Sequence, residues 1–301
     1  MKKSIEVGPE GAGQRIDVYL AQKLRLSRNT LKRLLAAGAV CCKGRTVSKS
    51  QTFAQGECLE VDLTLTQLQL IPNPSLPLRV LFEDEALLIL DKPSGLSCHP
   101  LRTDETNTVA NALVARYPAQ ASASCHPLEA GLCHRLDKET SGLLIAARNL
   151  QSYRHMRKAF LGQHIYKRYL CLCTGSLPPQ GTVSFPLLQK GRCSKTASPK
   201  SSKARPAHTQ FRVLQRQGAH CLLSVEIATG VMHQIRAHLA SLGAPIVGDE
   251  RYGLGTLPHC PRLFLHATEL RFSHPLTQQS MCFEAPLPVE LCAVLEKLGF
   301  S

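Results

Sequence analysis

Three prolines, Pro72, Pro74 and Pro77, fall within residues 64–78, and that stretch reads as a linker that divides the chain in two. The expected layout is a compact unit at residues 14–63 and a larger one at residues 79–301. With 301 residues, 44% of them hydrophobic, the chain has enough material for that layout, and disorder throughout is excluded.

In the first unit, Ile16, Val18, Tyr19, Leu20 and Leu24 fit a short helix between Arg15 and Leu24. Ser27 offers the N-cap of a second helix, whose apolar stripe is Leu31, Leu34 and Leu35 and whose end is Gly38. Arg28, Lys32 and Arg33 form a basic face opposite that stripe. Short strands are expected at Val40–Cys42, at Thr46–Val47 beyond a turn at Lys43-Gly44, and at Leu59–Leu63.

The second unit opens with a strand at Ala86–Leu90 and a turn at Lys92–Gly95. Leu143–Ala147 is short enough for a buried strand, Tyr153–Leu161 fits a helix, and Tyr169–Cys173 fits another strand. Residues 189–207, rich in Ser, Lys, Arg and Pro without apolar periodicity, read as a surface loop whose order would depend on a ligand. Met232–Leu242 fits a helix with Ile235, Leu239 and Leu242 on one stripe, stopped by Gly243 and Pro245. Strands and helices follow no regular βαβ rhythm, which favours an α+β fold over a doubly wound sheet.

Charge narrows the function. Lys and Arg number 36 against 22 Asp and Glu, yet residues 140–225 hold 14 basic residues and no acidic one. The whole excess therefore lies in one contiguous stretch, and such a surface attracts polyanions, RNA or DNA above all. The bland alternative is a solvated basic face. The 13 cysteines form no C-x-x-C pair, so they read as free thiols filling small apolar positions in a reducing cytosol. Met1–Glu6 has no apolar core for a signal peptide, and no 18-residue apolar run follows, so a soluble cytoplasmic protein without membrane contact is expected.

Two polar clusters stand out. The first is Cys133-His134-Arg135-Leu136-Asp137-Lys138-Glu139-Thr140-Ser141-Gly142, just before an apolar strand. Positive neighbours favour an ionised Asp137, which suits a nucleophile or electrostatic stabiliser better than a general acid. The alternative is a charged loop with local ion pairs. The second cluster runs from Thr229 to His238. Its His233 and His238 are five apart, wrong for a shared helix face, and no H-E-x-x-H glutamate accompanies them, so no metal is expected. Arg236 lies about one step off the apolar stripe, where it could meet a carboxylate from another element.

The segment His134–Gly142 resembles the H-R-L-D-x-x-T-S-G signature of the RluA family of pseudouridine synthases. Four more segments resemble family motifs in the family's order: Glu83–Pro100, Lys167–Leu170, His233–Gly253 (including Gly248-Asp249 and Tyr252-Gly253) and Leu265–Pro275. The first unit resembles the S4-like RNA-binding domain that accompanies many members. Three positions depart from the pattern: Val231 where Arg is usual, Asp91 where Asn is usual, and Cys42 where Val is more typical. None of them removes a catalytic group.

The resemblance implies a small S4-like domain followed by a mixed, largely antiparallel sheet with a central cleft. It implies isomerisation of uridine to pseudouridine in RNA, with no cofactor or metal, in keeping with the missing G-x-G-x-x-G and Walker motifs. Asp137 would be the essential carboxylate, attacking the sugar, attacking the base or assisting proton removal. Arg236 would hold it ionised and aimed, and Tyr169 would pack on the base and relay the proton lost from carbon 5. His134, Arg135 and Thr140 would contact substrate or shape the loop, Leu265 would wall the pocket, and Arg28, Lys32 and Arg33 would add a second RNA contact. Large-subunit ribosomal RNA is the first expected substrate, transfer RNA the second, and the enzyme is expected to be a monomer. A non-catalytic RNA-binding or ribosome-assembly factor is the rival reading, against which stands the joint presence of Asp137, Tyr169 and Arg236.

Overall fold

A computed structural model describes residues 2–26, 28–63, 69–102, 104–191, 193–198, 201–253 and 260–300, without the side chains of residues 28, 29 and 33. It separates into two compact units, 1–69 and 70–301.

The N-terminal unit begins earlier than the expected residue 14. Strand β1 (Lys2–Glu6) pairs antiparallel along its length with a later strand, so it belongs to the unit's sheet. Helices α1 (Ile16–Lys23) and α2 (Arg28–Ala36) follow, then β2 (Val40–Cys42), β3 (Arg45–Thr46) and β4 (Cys58–Asp62), in sheet order β1-β4-β2-β3. Ile16, Tyr19 and Leu20 of α1 pack with Leu31, Leu34 and Leu35 of α2 over Val40, Leu59 and Val61 of the sheet. Gly38 ends α2 at φ +68, as its place after the stripe requires. The expected cap Ser27 lies outside the described residues.

The C-terminal unit opens before the end of the expected linker. Asn111 donates from Nδ2 to the Ile71 carbonyl at 2.7 Å, and the Asn73 N–H reaches the Asn111 carbonyl at 3.1 Å. Then come β5 (Arg79–Glu83), β6 (Leu87–Lys92), α3 (Val109–Arg116), a 3-10 turn at Pro118–Ser122, β7 (Ser141–Ala147), α4 (Leu150–Leu161), β8 (Tyr166–Thr174) and β9 (Gln180–Val183). The chain continues through β10 (Leu187–Lys190), β11 (Cys193–Thr196), β12 (Thr209–Gln217), β13 (His220–Ile227), α5 (Gln234–Ser241), β14 (Leu265–Ser273), β15 (Ser280–Glu284) and α6 (Val289–Lys297).

Among the described residues nine strands form one sheet, in the order β5-β6-β7-β14-β8-β13-β12-β9, with β15 on β14. Only the β7–β14 pairing is parallel, so the expectation of an α+β fold with a mixed, largely antiparallel sheet holds. All seven residues of β7 are buried, as a central strand flanked on both edges should be.

Two local expectations are corrected. Residues 187–196 form an antiparallel hairpin, β10–β11, rather than an irregular loop. Buried Ser194 supplies its inward anchor, which an apolar pattern does not register. The helix expected from Met232 starts at Gln234, because His233 adopts the left-handed conformation, φ 54° and ψ 27°.

Candidate active site

The segment before β7 folds back upon that strand: Cys133 N–H donates to the Ile145 carbonyl at 2.9 Å. His134 continues the pairing through its ring, whose Nε2 accepts the Ile145 N–H at 3.0 Å. The ring stacks on Phe160, centroids 4.6 Å apart. Burial, then Lys167 and Arg157, push its pKa down to about 3, in keeping with an acceptor nitrogen. His134 thus serves the fold, whereas the neighbouring Arg135 is exposed.

Beyond it the chain turns at Asp137, and the Thr140 N–H closes the turn on the Asp137 carbonyl at 3.2 Å. Support for this turn goes almost wholly to its carbonyls. Lys92, 1% exposed, donates to the carbonyls of Pro93, Leu96 and Lys138. The Gly95 N–H also reaches the Lys138 carbonyl, at 2.8 Å, and Ser94 Oγ donates to that of Glu139 at 2.6 Å. Burial lowers the Lys92 pKa to about 8, while Asp137 and Glu139 act the other way. Gly142 ends the turn at φ +109, and a Cβ there would stand 2.2 Å from the Ala267 carbonyl oxygen, so only glycine fits. A buried chain behind the turn links Arg262, Ser141 and His266: Arg262 Nη2 donates to Ser141 Oγ at 2.9 Å, which lies 2.8 Å from His266 Nδ1.

Helix α5 brings Arg236 to this turn across 99 residues of sequence. Its Nη1 donates to Asp137 Oδ2 at 3.3 Å and lies 3.7 Å from Glu139 Oε2. The other edge of the guanidinium is clamped by Asp249, Nε to Oδ2 at 2.7 Å and Nη2 to Oδ1 at 2.8 Å. Asp249 is fully buried and also accepts the N–H groups of Arg251 and Tyr252. The Tyr252 ring lies under the guanidinium, 5.3 Å from its centroid. Burial alone would lower the Arg236 pKa; the Asp249 hydrogen bonds and charge, and then Asp137, outweigh it and raise it. A permanent cation therefore faces Asp137, fixed in plane by a bidentate partner.

Strand register supplies the third group. Gly142 on β7 pairs with Ala267 on β14, which pairs with Tyr169 on β8, so Tyr169 lies in one row with the end of the turn. Its ring is 7% exposed, and burial, then the charge of Asp137, raise the pKa of its phenol. Leu265, two residues up β14, is buried opposite Cys171. Thr140 is buried too, with no hydrogen-bond partner for its Oγ1 among the described residues.

A permanent cation thus stands locked beside a half-buried carboxylate, with a buried phenol in the next row. Residues 86–241, about half of the chain, match the model of the RNA pseudouridylate synthase family. The chain belongs to that family. A ribosomal large subunit pseudouridine synthase D of Xanthomonas campestris pv. campestris is 33% identical over 307 residues, covering 97% of this chain and 91% of the relative. An uncharacterised RNA pseudouridine synthase of Chloroflexus aurantiacus is 36% identical over 308 residues, covering 99% and 94%. Human RNA pseudouridylate synthase domain containing 4 shares the fold, with a TM-score of 0.62 at 24% identity over 73% of this chain and 92% of that one. As a member of this family the chain is an isomerase that converts uridine in RNA to pseudouridine.

The structure brings Arg236 onto Asp137 and places Tyr169 in the neighbouring row, and it adds residues that were not singled out. Asp249 and Tyr252 were visible only as parts of a motif, and His233 as part of the same motif and as a discarded metal ligand. The signal that could have marked Asp249 was Gly248, at φ +74 with a Cβ position 2.1 Å from the Arg262 carbonyl oxygen. Among the described residues no three His, Cys, Asp or Glu side chains form a group able to hold a metal ion. Lys32, in the N-terminal unit, is exposed. The side chains of Arg28 and Arg33 lie outside the described residues. No described helix is long and apolar enough to cross a membrane.

Proposed function

We propose that this isomerase acts on uridine in large-subunit ribosomal RNA, with Asp137 as its essential carboxylate. The target class rests on relatives covered over nearly their whole length and named for the large ribosomal subunit. The role of Asp137 rests on one observation: the Arg236 hydrogen bond falls on Oδ2, and no described residue donates a hydrogen bond to Oδ1. One carboxylate oxygen is thus held and the other is open to the nucleoside.

In the reaction the bond from ribose C1′ to ring N1 breaks and a bond from C1′ to C5 forms. C5 loses one proton and N1 gains one, so no oxidant or hydrolytic water enters. Arg236 holds Asp137 by its Oδ2 and aims it. Tyr169, its phenol protonated, packs on the base and passes on the C5 proton by giving up its own as it accepts another. Leu265 walls the pocket beside it, while Thr140 and the exposed Arg135 contact the nucleotide. His134 acts indirectly, by holding the turn against β7.

A stacked uridine must be extruded to reach such a site, at a cost of a few kcal/mol. The exposed cations Arg154, Lys158, Lys190, Lys195, Lys203 and Arg205 offset that cost through phosphate contacts. The N-terminal unit, read as S4-like, adds a tethered contact through Arg28, Lys32 and Arg33 and so raises the effective concentration of RNA. We place the enzyme in the cytoplasm as a monomer.

The test is chemical mapping of pseudouridine along the ribosomal RNA of a strain lacking this protein. The reading expects at least one site missing from the large-subunit RNA and restored by the wild-type chain but not by Asp137→Ala. An unchanged large-subunit map with a site missing from transfer RNA would overturn the target.

A further inference from the structure

We propose that His233 is a positioning residue for Asp137: held as the neutral Nε2–H tautomer, it donates to Oδ2 in the substrate complex and leaves Oδ1 to the uridine. The inference rests on the reading of Asp137 as the essential carboxylate.

Hydrogen-bond pairing favours one tautomer. Ser194 N–H can only donate, and it donates to Tyr252 Oη at 2.6 Å. Tyr252 Oη lies 3.0 Å from His233 Nδ1, and among the described residues that nitrogen is the one hydrogen-bond acceptor for its proton, so donation to Nδ1 leaves both groups paired. Nδ1 is then the acceptor, and the ring proton resides on Nε2. Nε2 lies 3.9 Å from Asp137 Oδ2, the same oxygen that Arg236 contacts. An approach of about 1 Å completes the hydrogen bond, a tightening that catalytic contacts commonly show when substrate binds.

The backbone is built for this orientation. His233 sits in the left-handed region, which non-glycine residues occupy only when their surroundings force it, and often at functional sites. Here the forcing groups are visible. Gln234, buried, accepts from Val231 N–H and Thr229 Oγ1 and donates to the His208 carbonyl and Thr209 Oγ1. Lys167 donates to the carbonyls of Ala228 and Thr229. Ser194 Oγ donates to the Met232 carbonyl at 2.6 Å. Three elements thus fix the turn that aims the imidazole.

The charged and titratable groups around the ring are Asp137, Asp249, Arg236, Arg251 and Tyr252. Burial, the largest influence, lowers the pKa of His233, so the neutral ring persists at neutral pH.

Two measurements on the full chain test the proposal. The first is a long-range proton–nitrogen NMR spectrum of the imidazole-labelled protein, with His233 assigned by its disappearance in His233→Gln. A proton on Nε2 and a bare Nδ1 are expected; a proton on Nδ1 overturns the proposal. The second is single-turnover tritium release from a large-subunit ribosomal RNA transcript labelled at uridine C5. His233→Asn tolerates the left-handed backbone but places its amide short of Asp137, whereas His233→Gln carries a donor about as far as Nε2. Asn should lower the rate about 30-fold with KM within about threefold, and Gln should recover to within about fivefold of wild type. Asn within about twofold of wild type, or Gln no better than Asn while both remain folded, overturns the proposal. Asp137→Asn is run alongside. If it matches wild type, or if wild type releases nothing, the reading of Asp137 has failed and the role of His233 falls with it.

Discussion

Two segments meet at Arg236, and they are held in different ways. The turn carrying Asp137 is gripped by its carbonyls, from Lys92, Ser94 and Gly95. The turn before α5 is also gripped at its backbone, by Gln234, Ser194 and Lys167, but His233 and Arg236 are held side chain to side chain, by Tyr252 and Asp249. A carbonyl survives substitution of the residue that bears it, so, Gly142 apart, the first turn should keep its fold through changes in its own side chains and lose it when its donors change. In the second, the pairs that hold His233 and Arg236 are specific to their residue types. The difference also separates two electrostatic tasks. Asp249, with no exposure, absorbs the bidentate edge of Arg236, while half-buried Asp137 takes a single longer contact and stays available for chemistry.

Acidification should show the largest effect, and on the Asp137 side. His134 and His266 have pKa values lowered by burial to about 3 and about 4. Unfolding returns each to about 6.5, so the unfolded chain binds more protons below that pH and stability falls as pH falls through the window between. Taking the protein from pH 7 to pH 5 should cost about 2 kcal/mol for each ring, read as a drop in the urea midpoint. His266→Gln should lose about half of that sensitivity; an unchanged pH dependence would show that its ring is not held neutral.

Asp249→Asn should come next. It removes the charge that compensates a buried guanidinium, and breaking such a pair costs about 3 kcal/mol or more. Denaturant unfolding should show that loss; a change below about 1 kcal/mol would mean that Asp137 alone satisfies Arg236.

The smallest effects should separate carriers from donors on the first turn. Lys138→Ala should change stability by less than about 0.5 kcal/mol, since its carbonyl remains. Lys92→Met strands several buried carbonyls and should cost about 2 kcal/mol. Equal losses from the two would erase the distinction between the turns.

The same difference explains what the sequence made legible. The Asp137 turn is contiguous, so its motif, its glycine and the apolar strand after it can be read in one line. Arg236 could be placed near a carboxylate from its position beside the apolar stripe of α5. The rest of its surroundings is scattered. Ser194 comes from a hairpin read as a loop because its inward residue is polar, and Tyr252 and Asp249 follow a helix that ends before them. His233 was noticed but not placed beside Asp137, because backbone handedness leaves no mark in a hydrophobic pattern. Within the N-terminal unit, β1 was missed because Lys2–Glu6 carries a single buried residue, Ile5, and takes its identity from pairing with β4.

The basic stretch teaches a similar lesson. Residues 140–225 contain no acidic residue, yet Arg148 pairs with Glu83 and Arg168 with Glu269, partners that lie outside that stretch in sequence. Part of the charge excess therefore holds the fold, and the remaining exposed cations are those left for the proposed phosphate contacts.

The central claim is that Asp137 performs the isomerisation, and tritium release tests it most directly. RNA from a strain lacking this protein, labelled with tritium at uridine C5, is incubated with wild type and with Asp137→Ala, and RNA binding is measured in parallel. The account predicts release by wild type and none by the variant, with RNA affinity within about threefold. Release by Asp137→Ala at a comparable rate would contradict it.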